Sequence, residues 1–330
     1  MGERDGRFCL VVNPAAGRGR SLRVLPEGTA VLDAAGVSYQ VSESASLADA
    51  AAIAARAAGM GQVVVAVGGD GLAGALSGVA AAGGARYGII PAGTGNDLAR
   101  VLGIPAGPAA AARVLTAGQE RRVDLIGVAT PGQPETVVAG SVYVGIPSVA
   151  GEIANRTRWL RGPIVYPVAA LRALAGWAPT AFRVEIRRSD RPEEGGGALV
   201  RDFAGYAVVV ANAAYFGAGM RVAPPAQLDD GMLDIVTMRH GPRLAFIRTL
   251  LRVRNGSHTG LAQISLDRGT EVTVTVGRDL PAAADGETLP FAAPLQPGTP
   301  LHIRALPRAL RVLVPATPRA DPASSAGSAR

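Results

Sequence analysis

The amino-acid sequence predicts an α/β N-terminal domain with a doubly wound parallel sheet and a mostly antiparallel β-sandwich C-terminal domain. Over about the first 130 residues, short β-branched runs alternate with alanine-rich stretches of helical pattern. That alternation is typical of a parallel sheet covered by helices on both faces. Beyond that point, proline and glycine separate short β runs, which favours antiparallel pairing. The chain has 330 residues, 48% of them hydrophobic, and can fill two cores.

The N-terminal elements follow one another in a regular order. Ser46 and Asp49 form a capping-box pattern, which supports the second helix. The predicted strands are 8–13, 37–42, 62–67, 86–91 and 121–128. The predicted helices between them are 20–35, 46–58, 71–82 and 94–117.

The C-terminal part is predicted from shorter β runs and two helical stretches. The β runs are 136–144, 182–188, 198–212, 233–238, 270–276 and 299–305, and the helical stretches are 150–177 and 242–254. The predicted bounds are 1–128 for the α/β domain, 129–305 for the β-rich domain with a helical insertion at 150–177, about 306–314 for a return to the first domain, and 315–330 for a disordered tail. The tail is too polar and proline-rich to pack.

Composition excludes several classes of protein. The sequence contains no lysine, so it has neither a Walker A lysine nor the strand lysine of protein kinases. The single cysteine, Cys9, precludes an internal disulfide and fits a reducing cytoplasm. A formal charge of +7 with only 4% aromatic residues favours an anionic membrane surface over nucleic acid as a partner. We therefore expect a cytoplasmic protein that associates peripherally with the membrane.

Polar and glycine-rich segments follow the predicted strands of the first domain. NPAAGRGRS (13–21), GGDG (68–71) and PAGTGND (91–97) each come directly after a strand, and Asp124 lies within the fifth. Because parallel strands end at one edge of the sheet, Asp70 and Asp97 should lie close together, with Asp124 as a third candidate. Such carboxylates need a cation between them, and Mg²⁺ is the natural one. Two simpler interpretations stay open: Thr94 and Asp97 could form a helix cap, and Asp70-Gly71 could be a turn.

These motifs, together with LDDGMLDIV (228–236) and ADGE (284–287), resemble the diacylglycerol kinase catalytic domain of bacterial lipid kinases over roughly residues 7–314. The resemblance implies a fold like that of NAD kinases and diacylglycerol kinases. It also implies an ATP- and Mg²⁺-dependent lipid kinase that transfers a γ-phosphoryl group to a diacylglycerol-like hydroxyl, giving phosphatidic acid.

The resemblance also implies roles for individual residues. The nucleotide-binding residues would be Asn13, Pro14, Ala15, Ala16, Gly17, Ser44, Gly68, Gly69, Asp70, Gly71, Leu72, Thr94 and Asn96. The catalytic Mg²⁺ would use Asp70, Asp97 and Asp124, and a structural Mg²⁺ would use Asp230 with the carbonyl groups of Gln227 and Met232. The general base would be Asp285 or Glu287. This chain departs from the usual G-G-D-G-T-x-N-E loop, because Leu72, Gly74 and Ala75 replace the threonine, asparagine and glutamate.

The acceptor side is less specific in sequence. Residues 152–177 contain both tryptophans and four arginines. They would form either an interfacial membrane contact or a pair of helices with Trp159 and Trp177 in the core. The basic stretch 243–254 is interpreted as a solvated helix face. Alternatives to a lipid kinase are an NAD kinase-like enzyme and a lipid-binding pseudokinase, and a homodimer is left open.

Overall fold

The computed structural model describes residues 7–14, 19–156, 165–178, 180–188, 198–217, 219–289, 291 and 294–316. Its helices are α1 (Arg20–Ala34), α2 (Leu47–Gly59), α3 (Asp70–Ala82), α4 (Asp97–Val101), α5 (Pro108–Ala117), α6 (Ile146–Arg156), α7 (Val165–Ala175) and α8 (Arg243–Val253). The strands of the first part are β1 (Phe8–Val12), β2 (Tyr39–Glu43), β3 (Val63–Gly68), β4 (Arg86–Pro91) and β5 (Gln119–Ala129). The later strands are β6 (Thr136–Val138), β7 (Ser141–Gly145), β8 (Thr180–Arg187), β9 (Leu199–Ala211), β10 (Leu233–Arg239), β11 (Ile264–Gly269), β12 (Glu271–Val276), β13 (Ala282–Ala284), β14 (Glu287–Thr288) and β15 (Leu301–Val314).

The N-terminal sheet is parallel over β2, β1, β3 and β4, in that spatial order. Its two central strands, β1 and β3, are fully buried, because their unbroken apolar runs face helices on both sides. Helix α1 packs with α5, α2 packs with α3, and both pairs contact the sheet. The predicted α/β architecture is therefore confirmed.

The fifth predicted strand is not a fifth parallel strand. β5 pairs antiparallel with β15 over most of its length, and β15 adds itself in parallel beside β4 at Arg311 and Val312. A short loop, rather than a helix, connects β5 to β6. β6 therefore runs antiparallel to β5. β15 also pairs with β12, and this one strand therefore joins the two parts of the molecule. The domain bounds given above stay a prediction.

The C-terminal strands pair antiparallel, as expected. β9 lies between β7 and β8, β8 pairs with β12, and β10 pairs with β9 and β11. Helices α6 and α7 cover a second core, in which Trp177 is only 8% exposed and donates its indole N–H to the Gly205 carbonyl. This matches the core interpretation for Trp177, whereas Trp159 and residues 317–330 lie outside the described residues. Among the described residues, no helix is both long and apolar enough to cross a bilayer.

Two local predictions have clear outcomes. The predicted Ser46 cap of α2 is confirmed, because Ser46 Oγ accepts from the Asp49 amide at 3.1 Å; the Asp49 side chain in turn accepts from the Ala45 amide at 2.9 Å, one residue before the position that a capping box uses. The single helix predicted over 94–117 is wrong: it is divided into α4 and α5. Gly103 between them has a φ of +70°, a conformation that ends a helix, and Pro108 then starts α5.

Candidate active site

Two glycine-rich loops meet at the carboxyl edge of the parallel sheet. A Cβ atom built on Gly93 would lie 2.6 Å from the Cα of Gly69, so the two backbones touch without room for a side chain. The Ala92 amide donates to the Gly68 carbonyl at 2.7 Å and fixes the same contact. The GGDG and GTGND segments are therefore held as one surface.

Asp70 and Asp97 lie together on this surface. Asp70 is the first residue of α3, and its Oδ1 accepts from the Asp97 amide at 2.5 Å and the Leu98 amide at 3.4 Å. Asp70 thereby caps α4 from another helix. The Asp97 carboxylate instead accepts from the Gly219 amide at 2.7 Å, across the cleft. The capping box considered for Thr94 and Asp97 is not formed.

Asn96 shapes the second loop. It has a φ of +53°, and its side chain accepts from the Gly93 amide at 2.9 Å and donates to the Gly93 carbonyl at 3.0 Å. Thr94 is exposed and lines the cleft. Asn96 therefore holds the turn that presents Thr94.

The ADGE segment forms a tight hairpin between β13 and β14. Asp285 and Gly286 have φ values of +47° and +93°, as a two-residue hairpin turn requires. The Asp285 carboxylate accepts from the amides of Ala139, Gly140 and Ser141 at 2.8–2.9 Å. Burial raises the pKa of Asp285, more than the amides lower it, and neighbouring Asp70 raises it further.

Glu287 has a different environment two residues later. Its Oε1 would lie 3.1 Å from a Cβ built on Gly71, so its carboxylate covers the first turn of α3. Within the part of the chain that the structure describes, no hydrogen bond to this carboxylate is found. Burial raises the pKa of Glu287. The structure thus brings Asp70, Asp97, Asp285 and Glu287 to one region.

Asp124 lies elsewhere. It is 1% exposed, and its two carboxylate oxygens accept from the Gly231 amide at 2.7 Å and the Arg308 amide at 2.6 Å. It does not line the cleft that Asp70 and Asp97 share. Buried Asn212 donates to the carbonyls of both Asp124 and Ala139, and so connects Asp124 to the amides that hold Asp285.

The predicted second magnesium site has a cation of its own. The Asp230 carboxylate pairs with the Arg268 guanidinium and also accepts from the Met232 amide at 3.0 Å. Arg268 Nε lies 3.5 Å from buried Asp234 as well. Because Arg268 already pairs with the Asp230 carboxylate, the predicted site of Gln227, Asp230 and Met232 enters no step of the reaction proposed below.

The first predicted loop is described only in part. Asn13 and Pro14 follow β1, and Ser44 Oγ donates to the Val12 carbonyl at 3.2 Å beside them. Ala15, Ala16 and Gly17 lie outside the described residues.

Leu72, which replaces the usual threonine of the GGDG loop, is buried and packs against Gly68, so it faces the protein rather than the cleft. Gly74 lies directly against Asp285, whose Oδ2 is 2.9 Å from a Cβ built there.

A cleft lies between the glycine-rich loops and the ADGE hairpin. Sequence reasoning missed several residues at its rim. Arg20 Nη1 donates to the Gly93 carbonyl and Arg100 Nη2 to the Gly95 carbonyl, both at 3.3 Å. Tyr215 also lines the cleft, with its ring centre 5.8 Å from the Arg100 guanidinium. The one sequence signal for these arginines was the absence of lysine, which leaves arginine as the only basic side chain that could contact a phosphate. The lining residues are Asp70, Gly74, Thr94, Gly95, Asp97, Leu98, Gly140, Ser141, Tyr143, Pro147, Gly151, Ala213, Tyr215, Phe216, Gly217, Asp285 and Gly286.

A second cavity adjoins the cleft. It shares Pro147 and Phe216 with the cleft. Its wall is apolar apart from Thr249 and His258, and it is formed by α6, α7, α8 and the β9–β10 sheet. Pro147 and Phe216 thus separate the cleft, which contains the carboxylates of Asp70, Asp97 and Asp285, from the apolar cavity.

Glycine-rich loops, two aspartates and a facing hairpin carboxylate are what phosphoryl transfer needs, because that reaction depends on positioning and charge neutralisation.

Comparison with known proteins identifies the family. Residues 7–128 match the model of the diacylglycerol kinase catalytic domain, and residues 140–314 match that of the YegS C-terminal NAD kinase β-sandwich-like domain. A diacylglycerol kinase of Mycobacterium tuberculosis is 31% identical over 312 residues, which cover 94% of this chain and 96% of the relative. A probable lipid kinase YegS-like protein of Chromohalobacter salexigens is 28% identical over 76% of each chain. The chain therefore belongs to the diacylglycerol kinase-like lipid kinase family.

The fold agrees with solved structures. A putative diacylglycerol kinase from Bacillus anthracis superposes with a TM-score of 0.74, covering 95% of this chain and 97% of that chain, at 22% sequence identity. This similarity concerns the fold alone. It confirms the arrangement of an α/β part followed by a β-rich part.

Proposed function

We propose that this kinase transfers the γ-phosphoryl group of ATP to the hydroxyl of a diacylglycerol-like lipid, giving phosphatidic acid. The observation that carries the proposal is the shared wall of the carboxylate cleft and the apolar cavity at Pro147 and Phe216. A lipid alcohol has an apolar body and one polar reacting group, and these two compartments suit the two parts of such a molecule.

The nucleotide would bind at the glycine-rich loops. The first turn of α3, beginning at Asp70, has amides without helical partners, which can hold phosphate oxygens. Arg20 and Arg100 each donate to a carbonyl of the GTGND loop and supply positive charge in a chain that has no lysine. Asn13, Pro14, Ser44 and Thr94 stay predicted contacts of ATP.

Magnesium would be held by Asp70 and Asp97. Of the two Asp70 carboxylate oxygens, Oδ1 accepts the hydrogen bonds found among the described residues, which leaves Oδ2 for a cation. No group of three metal-binding side chains occurs among those residues, but Mg²⁺ bound to a nucleotide commonly uses one or two carboxylates, phosphates and water. When bound, Mg²⁺ neutralises charge on the transferred phosphoryl group. Asp124 stays a predicted ligand, although its oxygens accept from two amides in this structure.

Glu287 is the proposed general base. A base must have a lone pair available for the proton of the acceptor hydroxyl. The four contacts that Asp285 accepts from three amides fill its acceptor sites, whereas Glu287 has no such partner among the described residues. Glu287 also covers Gly71, beside the predicted phosphate site. Asp285 would act as a positioning residue that fixes the hairpin carrying Glu287.

A product assay tests the proposal. The purified chain is given labelled ATP and Mg²⁺ with either dioleoylglycerol in mixed micelles or NAD, beside an Asp70→Asn variant. We expect labelled phosphatidic acid from the wild-type chain, and at least a hundredfold less from the variant. Product from NAD alone would favour an NAD kinase, and no Mg²⁺-dependent product from either acceptor would favour a lipid-binding pseudokinase.

A further inference from the structure

The outer face of α8 exposes two large apolar side chains. Leu244 is 67% exposed and Leu251 is 74% exposed. Arg248 lies between them on the same face, since residues 244, 248 and 251 recur at helical spacing. A solvated helix normally carries polar residues along such a stripe. The α8 outer face is therefore not only the basic surface that the sequence suggested.

The charge around this stripe has one sign. Arg243, Arg252 and Arg254 are exposed beside it, and no aspartate or glutamate occurs between residues 235 and 266. Among the described residues, none of the α8 arginines forms an ion pair, and Arg243 only donates to the Ala175 carbonyl at 3.3 Å. The neighbouring helix α7 adds exposed Leu171 and Arg172. The α8 outer face therefore combines positive charge with exposed apolar side chains.

The inner face of the same helix forms part of the apolar cavity. Phe246, Leu250 and Val253 point inward and line it, together with Thr249. The cavity proposed for the lipid body is thus separated from the α8 outer face by the thickness of one helix. An acceptor that enters from a membrane would have the shortest route if α8 lay against that membrane.

We propose that the α8 outer face docks the protein on an anionic phospholipid bilayer. Leu244 and Leu251 enter the interfacial layer, and the surrounding arginines contact lipid phosphates. Nucleic acid would leave the two leucines exposed, and a second copy would bring like charges together. This inference rests on the proposed function for the position of the cavity, but docking can be measured without catalysis.

Vesicle co-sedimentation of the full chain tests the docking. Vesicles of phosphatidylcholine alone are compared with vesicles containing phosphatidylglycerol, both without diacylglycerol. We expect binding to the anionic vesicles only. Arg248→Gln with Arg252→Gln should weaken it about 30-fold, because each arginine near an anionic surface contributes about fivefold. Leu244→Ser with Leu251→Ser should weaken it about tenfold or more. The control, Met60→Ser with Arg56→Gln, removes an exposed apolar side chain and an exposed arginine at the C-terminal end of α2 and should bind normally.

Further measurements separate the outcomes. Thermal unfolding should be unchanged in every variant, since the altered side chains are exposed. Equal binding of wild type and both α8 variants, tighter retention on duplex DNA than on anionic vesicles, or a dimer lost in the leucine variant would each overturn the docking proposal. Wild-type activity on dispersed dioctanoylglycerol without vesicle binding would overturn docking alone. Anionic vesicle binding without kinase activity would overturn the proposed function and leave docking standing.

Discussion

Two carboxylates of one hairpin differ because of what surrounds each. Asp285 is fixed by the amides of Ala139, Gly140 and Ser141, while Glu287 lies over Gly71 with no hydrogen bond found among the described residues. From the D-G-E motif alone, Asp285 and Glu287 are equal candidates for the general base. Only the packing of the hairpin against β7 and α3 separates the fixed acceptor from the available one.

Replacing Glu287 with Gln should lower kcat by about 10²–10⁴-fold and leave the KM for ATP nearly unchanged, as expected for loss of a general base. Because burial raises the pKa of Glu287, the wild-type kcat should fall on acidification through a pKa above that of an ordinary glutamate. The residual activity of Glu287→Gln should lack this acid limb. Steady-state kinetics across pH measures both effects.

Asp285→Asn provides the comparison for Glu287→Gln. Its amide group cannot accept the same backbone hydrogen bonds, so the variant should lose thermal stability as well as activity. It should keep the acid limb in whatever activity remains. An acid limb that disappears in Asp285→Asn and persists in Glu287→Gln would assign the base to Asp285 instead.

Gly74 is a second residue whose role depends on packing. An added Cβ would lie 2.9 Å from Asp285 Oδ2, so Gly74→Ala should displace that carboxylate. We expect a loss in kcat/KM of about 10- to 100-fold, because moving Asp285 should shift the hairpin that carries Glu287, and small displacements of a reacting group cost that much. Gly59→Ala in α2 is the matched control, since nothing lies within 4 Å of its added Cβ. Equal activity of both variants would show that Asp285 can move without loss.

At the scale of elements, β5 is connected to the 228–232 segment through Asp124. Asp124→Asn places an N–H₂ group in a buried position where one carboxylate oxygen now accepts from the Gly231 or Arg308 amide, and it should lower the free energy of unfolding by about 1–3 kcal/mol. Asp229→Asn, which breaks only the exposed pair with Arg121, should cost less than about 1 kcal/mol. Denaturant titration measures both. If Mg²⁺ stabilises the wild type but not Asp124→Asn, Asp124 has the metal role predicted from sequence.

The elements most reliably predicted are those whose patterns are local. β1 and β3 are apolar throughout, and the cap of α2 lies within four residues. The partner of β5 could not be predicted, because β15 is distant in sequence and pairs with it only in the folded chain. β11 was missed since its alternating residues include Asp267 and Arg268, whose partners lie on β9 and before β10.

At the scale of the whole molecule, the sequence located the edge of the sheet but not the complete cleft. Glycine-rich motifs placed Asp70 and Asp97 together, since parallel strands share one carboxyl edge. Tyr215 and Phe216 belong to no motif, and their position in the cleft depends on the return of the chain after β9. Gly219 likewise reaches Asp97 across the cleft. The apolar cavity has no sequence signature at all, because three helices, two strands and the segment after β9 contribute to its wall.

A substitution in the wall of the apolar cavity tests whether this cavity binds the acyl chains of the acceptor. Ala170 lies in its wall on α7, so Ala170→Leu should fill part of the space that we propose for the lipid body. We expect kcat/KM for dioleoylglycerol in mixed micelles to fall about tenfold or more, and that for dioctanoylglycerol to fall much less, since each methylene in an apolar pocket contributes about 1–3 kcal/mol. The same substitution at exposed Ala55 of α2 should change neither value. If Ala170→Leu lowers both acceptors equally while its thermal stability is retained, the acyl chains bind outside this cavity, and the shared wall at Phe216 would no longer support the choice of a lipid acceptor.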